Sequence, residues 1–145
     1  MDLHSIGQDL ATNTYDLHIV SPTGQPLYAI EKDGKLELTT VKNDRPMIWT
    51  IVGKDSPAFR AREAEVYRWA QQTRKKKNDP GLDELEQKGR ETVATAIVGW
   101  KNTIWKGKDL PFSIENVLTV LDGYRPAYDQ VDAAVADRGN FSKSA

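Results

Sequence analysis

Residues 84–141, ELEQKGRETVATAIVGWKNTIWKGKDLPFSIENVLTVLDGYRPAYDQVDAAVADRGNF, decide how this chain is read. With Leu82 just ahead of them, Leu85, Gly89, Val93, Ala96, Ile97 and Trp100 recur mostly at steps of three and four. That is the mark of a helix with one buried face. Gly89 inside the stripe costs about 1 kcal/mol against alanine, so it predicts a close backbone approach. The helix is expected to end near Gly99, after which Trp100, Ile104 and Trp105 lead into an exposed loop at 106–109. Leu110-Pro111-Phe112 makes a turn, and Ser113 caps a second helix with Glu115 in its first turn. Ile114, Val117, Leu118 and Leu121 face inward there, and Gly123 ends the helix in the manner of a left-handed cap. Arg125-Pro126 opens a last helix with Tyr128, Val131, Val135 and Arg138 on one face. Gly139 stops it, and Phe141 is expected to fold back onto the helices.

Upstream, Ser56-Pro57 starts a long helix, since the hydroxyl can accept a first-turn N–H and proline loses no needed donor there. Phe59, Glu63, Val66, Tyr67 and Ala70 form its narrow stripe, which leaves Trp69 as the best candidate for an exposed aromatic anchor. Trp105 is the second. The stripe dissolves into QQTRKKKNDPG, where Arg74-Lys75-Lys76-Lys77 is the one local charge concentration. Such a run could attract nucleic acid or an acidic partner, but cations also suit a helix C-terminus. Asp79-Pro80-Gly81 is expected to break the chain and restart it, with Asp79 as cap.

Before residue 56 the period changes to two. Tyr15, Leu17 and Ile19 share one face of a strand, and Ser21-Pro22-Thr23-Gly24 reads as a turn. Leu27, Ala29 and Ile30 suggest a second strand, Asp33-Gly34 signals a short hairpin, and 35–41 alternates again. Asn43-Asp44-Arg45-Pro46 turns into MIWTIV at 47–52, the most apolar strand and therefore a central one. The fold class is thus α+β: an antiparallel β-meander of about four strands, then a long helix and a C-terminal three-helix unit. The division is an N-terminal arm at 1–13, a sheet region at 14–55, a helical region at 56–141 and a tail at 142–145. The arm reads as flexible, or as docking on a neighbouring subunit. The meander leaves two edges to be covered or paired with another chain.

Composition narrows function mainly by exclusion. Twenty Lys and Arg against 21 Asp and Glu give a net charge of −1, which argues against nucleic-acid binding through bulk positive charge. The absence of cysteine removes disulfides and thiolate metal sites. No run approaches the ~20 apolar residues of a membrane span, and residues 1–10 lack a signal-peptide pattern, so a soluble intracellular product is expected. His4 and His18 have no acidic partner at ligand spacing. Asp129, Asp132 and Asp137 fall on more than one helix face and read as solvated rather than as an acid–base pair. Phosphate loops and nucleophile elbows are absent. The expectation is no catalytic set, no metal and no cofactor.

Several short words remain: Val98-Gly99-Trp100, Leu110-Pro111-Phe112-Ser113 with Glu115-Asn116, Gln130-Val131-Asp132, and Ala136-Asp137-Arg138-Gly139-Asn140-Phe141. Upstream stand Ser21-Pro22-Thr23-Gly24-Gln25-Pro26 and Val52-Gly53-Lys54-Asp55-Ser56. Together they resemble a recurring bacteriophage virion-morphogenesis family of tail-assembly-chaperone-like or minor structural proteins, over most of the chain from Tyr15. One departure is the segment 124–128, where relatives more often show a Pro-Trp pair and Tyr128 is expected to fill that space. The resemblance implies a non-enzymatic virion structural or assembly protein, most readily of the tail or neck. Its partners would be other phage structural proteins, in multiple copies, in the host cytoplasm during assembly and in the particle thereafter. The alternatives are a transient tail assembly chaperone, a capsid-associated decoration protein, or a small regulatory or nucleic-acid-binding protein using 74–77.

Overall fold

The structure, a computed structural model that describes residues 1–75 and 81–142, is α+β. Four short antiparallel strands precede the main helices: β1 (Thr14–His18), β2 (Tyr28–Lys32), β3 (Lys35–Thr39) and β4 (Ile48–Val52). β2 and β3 close across Asp33-Gly34, whose φ values of 54° and 78° are the left-handed pair that a two-residue hairpin turn requires. β1 pairs with β4 from Thr14↔Val52 to His18↔Ile48, so the β2–β3 hairpin is an insertion between partners.

β4 is central, as its apolar sequence predicts, because β5 (Ile97–Lys101) pairs along its other side in the order β1-β4-β5. This corrects the expected helix end near Gly99. The helix α3 (Leu82–Ala96) stops at Ala96, and residues 97–101 run extended. β-branched Ile97 and Val98 followed by glycine favour that conformation, and it brings Trp100 against Trp49 with ring centroids 5.2 Å apart.

The segment expected as an arm is instead a helix, α1 (Leu3–Thr12). Asp2 accepts the Ser5 N–H at 2.8 Å while Ser5 Oγ accepts the Asp2 N–H at 3.2 Å, a reciprocal cap. No residue of α1 is fully buried, but Leu10 packs on the core and Asn13 Nδ2 donates to the Phe141 carbonyl at 3.0 Å.

α2 (Pro57–Lys75) opens on Ser56, whose buried hydroxyl accepts the Phe59 N–H at 3.4 Å. In α3, Val93, Ala94 and Ala96 are buried, but Leu82 and Leu85 are 71 % and 47 % exposed. Asp79 and Pro80 lie outside the described residues. A Cβ on Gly89 would stand 2.7 Å from the Tyr128 hydroxyl, the close approach that this glycine predicts. The loop expected at 106–109 is part of a tight hairpin, β6 (Ile104–Trp105) and β7 (Lys108–Asp109), turning at Lys106-Gly107 with positive φ at both.

α4 (Ile114–Gly123) is capped by Ser113 Oγ, which accepts the Asn116 N–H at 3.1 Å. Its buried residues are Val117, Val120 and Leu121, whereas Ile114 is 56 % exposed. Gly123 is no left-handed cap. It is the last helical residue, and a Cβ there would lie 2.5 Å from the Trp105 ring. α5 (Arg125–Ala136) buries Ala127, Val131, Ala134 and Val135. Arg138 leaves that face for a closing 3-10 turn (Arg138–Phe141) and holds the Asp55 carboxylate through Nε at 2.7 Å and a terminal nitrogen at 3.0 Å. Phe141 is buried as expected, edge-on to Tyr15, with Gly53 giving it room. One contiguous core joins β1, β4 and β5 to α3, α4 and α5. Among the described residues no helix is long and apolar enough to cross a membrane.

Candidate interaction surfaces

The tryptophans divide by function in the fold. Trp49 is fully buried and its indole N–H donates to Thr103 Oγ1 at 3.0 Å, which satisfies a polar atom that burial would otherwise make costly. Trp100 donates to the Leu110 carbonyl at 2.9 Å and meets Phe112 edge-on. Trp105 is half-buried and seated in the space that Gly123 leaves. It forms one wall of an apolar cleft of roughly 270 Å³, with Leu27, Leu38, Met47, Ile104 and Tyr124 among the others. Three polar side chains along the cleft are engaged elsewhere. Thr103 holds Trp49, the Tyr124 hydroxyl donates to the Val20 carbonyl at 2.7 Å, and Ser21 Oγ accepts from Gln25. A group entering this cleft therefore finds mainly apolar walls, which favour an apolar group. The volume falls just short of an ordinary small-molecule pocket and suits a single anchoring side chain.

Trp69 is placed otherwise than its sequence context predicts. It is half-buried between α2 and α3 with the Lys88 ammonium 5.3 Å from its ring centroid, while Tyr67 is 65 % exposed. α3 touches α2 through Arg62 and Trp69, and the buried or half-buried Phe59, Val66 and Thr73 extend the same face. These repeat at strict steps of three, four, three and four, a signal that the choice of Glu63 and Tyr67 missed. One ion pair crosses the contact, Arg62 to Glu91, while Arg62 also holds Glu65 on its own helix at 3.0 Å and Lys88 lies 3.8 Å from Glu91 on α3. Of the basic run, Arg74 is exposed and Lys75 ends α2; Lys76 and Lys77 lie outside the described residues.

Sheet edges were the other expected surface, and the two are unequal. Beside β1, the side chain of Gln130 accepts the Val20 N–H at 3.0 Å and donates to the His18 carbonyl at 2.8 Å. β5 is the outer strand on the opposite side, with Val98 half exposed. Where nothing covers the far side of an outer strand, its backbone groups can pair with another strand.

His18 serves the fold: its Nε2 lies 2.7 Å from the Leu27 carbonyl and its ring packs edge-on to Tyr28. Burial pushes the Tyr124 and Tyr128 phenols above their ordinary value, so both stay neutral at physiological pH. Among the described residues no group of three or more His, Asp or Glu side chains is placed to hold a metal ion. No protein-family model, curated protein or solved structure matches the chain.

Proposed function

We propose that this chain is a non-enzymatic bacteriophage virion structural or assembly protein, of the tail or neck, acting through protein–protein contacts. The observation that carries the reading is the apolar cleft beside Trp105, on a fold in which β5 is the outer strand of its sheet. Both features serve chain-to-chain contact: the cleft takes an apolar anchor, and the edge takes a strand. The family-like words add support because they hold these surfaces in place. Trp100 lies on Trp49, its indole is fixed by Leu110, and Ser113 starts the helix that ends under Trp105.

In this reading the partners are other phage structural proteins, met in the host cytoplasm, and the chain is present in several copies in the particle. Mass spectrometry of purified particles tests it, with the chain expected at structural abundance. Its absence from mature particles, together with its recovery from assembly intermediates, would replace the structural role with that of a transient chaperone.

A further inference from the structure

The backbone hydrogen bonds of residues 18–20 can be followed group by group. The Ile19 N–H donates to the Met47 carbonyl and the Ile19 carbonyl accepts the Leu27 N–H, each at 3.0 Å, toward the neighbouring chain segments. Successive residues of a strand turn these groups to opposite sides. The His18 carbonyl and both backbone groups of Val20 therefore point outward. There they meet side chains. Gln130 Nε2 donates to the His18 carbonyl at 2.8 Å, and Gln130 Oε1 accepts the Val20 N–H at 3.0 Å. The Tyr124 hydroxyl donates to the Val20 carbonyl at 2.7 Å.

Three outward groups are thus closed by α5 and by its N-cap residue, Tyr124. One primary amide supplies both a donor and an acceptor to the edge, which neither a carboxylate nor an ammonium can do. A neighbouring strand would exchange the same two kinds of bond. The segment behind is suited to pairing, since Leu17 and Ile19 are buried on one face and Ile19 and Val20 are β-branched. Left open, an outer edge of that composition is a template for another chain.

We propose that Gln130 and Tyr124 guard this edge. By holding the outward groups of residues 18–20, they stop a second copy of the chain from adding a strand there. The inference concerns the isolated chain and stands or falls without the virion reading.

Amide hydrogen exchange and sedimentation velocity of the full chain test it. Gln130→Ala is expected to speed exchange of the Val20 amide about tenfold or more relative to Ile19, whose partner is unchanged. The same variant should self-associate at concentrations about tenfold or more below those at which the wild type does. Gln130→Glu separates guarding from mere support. Its carboxylate can still accept the Val20 N–H but offers the His18 carbonyl no donor, so it too loses a bond. A charge on the edge nevertheless repels a second strand, so this variant should associate no more than the wild type. Circular dichroism identifies an unfolded variant. Tyr124→Phe, which frees the Val20 carbonyl and keeps the ring, then takes the place of Gln130→Ala, with association as the readout. Unchanged Val20 exchange in Gln130→Ala overturns the proposal. So does a variant no more associated than the wild type, or equal association of the Ala and Glu variants, which would mark general loosening.

Discussion

α3 begins and ends in different surroundings. At its C-terminal end Val93, Ala94 and Ala96 sit under β4, α4 and α5, while at its N-terminal end Leu82 and Leu85 remain open to solvent. One apolar stripe therefore serves two regions: a body held by burial, and an outer stretch where α3 meets α2 through the Arg62–Glu91 pair and the Trp69–Lys88 contact. The lesson is that periodicity reports which face of a helix is apolar, not how much of its length another element covers.

The largest expected effect lies in the body. Trp49→Ala removes the largest fully buried side chain and orphans Thr103, and should cost about 3–5 kcal/mol in urea unfolding. A cost near that of a surface change would break the contrast between body and outer stretch.

Next comes the join between β6 and α4. Gly123→Ala forces the Trp105 indole to move and should cost about 1–3 kcal/mol. In a Trp105→Ala background the same change should be neutral or favourable, by up to about 1 kcal/mol of helix propensity. A double-mutant cycle without coupling would show that this contact does not constrain Gly123.

In the outer stretch, Trp69→Ala loses partial burial and the Lys88 contact and should cost on the order of 1–2 kcal/mol. Tyr67→Ala, on the exposed face, should change monomer stability by no more than about 0.5 kcal/mol. Equal losses at the two positions would mean that α2 is turned otherwise than described.

The smallest effect belongs to Asp55→Asn. The hydrogen bond from Arg138 holds the Asp55 carboxyl below its ordinary value of 3.8, so its contribution is present above that pH. It is lost as the pH falls through the lower folded-state value, when the carboxyl protonates. Both groups are substantially exposed, so solvent screens the pair and the difference in Tm at neutral pH should be small. That difference should shrink as the pH falls below the ordinary carboxylate range and the carboxyl protonates, and one that persisted in acid would point to packing rather than charge.

Much of this was legible in the chain. The Asp33-Gly34 hairpin, the caps at Ser56 and Ser113, the central place of β4 and the crowding at Gly89 follow from local chemistry, and the structure has each. What escaped was long-range. Residues 97–101 continue a helical spacing, yet they join the sheet because β4 offers an unpaired edge and Trp49 a ring to pack on. Gly123 looked like a backbone signal, whereas its reason is an indole 18 residues away in sequence. Trp69 and Tyr67 exchanged roles because two stripes fit α2 and only contact with α3 chooses between them.

By itself, then, the sequence determined the four N-terminal strands, the longer helices, the caps at Ser56 and Ser113 and the α+β class, because those depend on dihedral preferences and on periods spanning a few residues. Only the tertiary structure decided where β5 sits, which strands lie outermost and which tryptophan lines the cleft. It also decided which leucines of α3 stay exposed. Those are questions of coverage by distant segments, and no local pattern carries them.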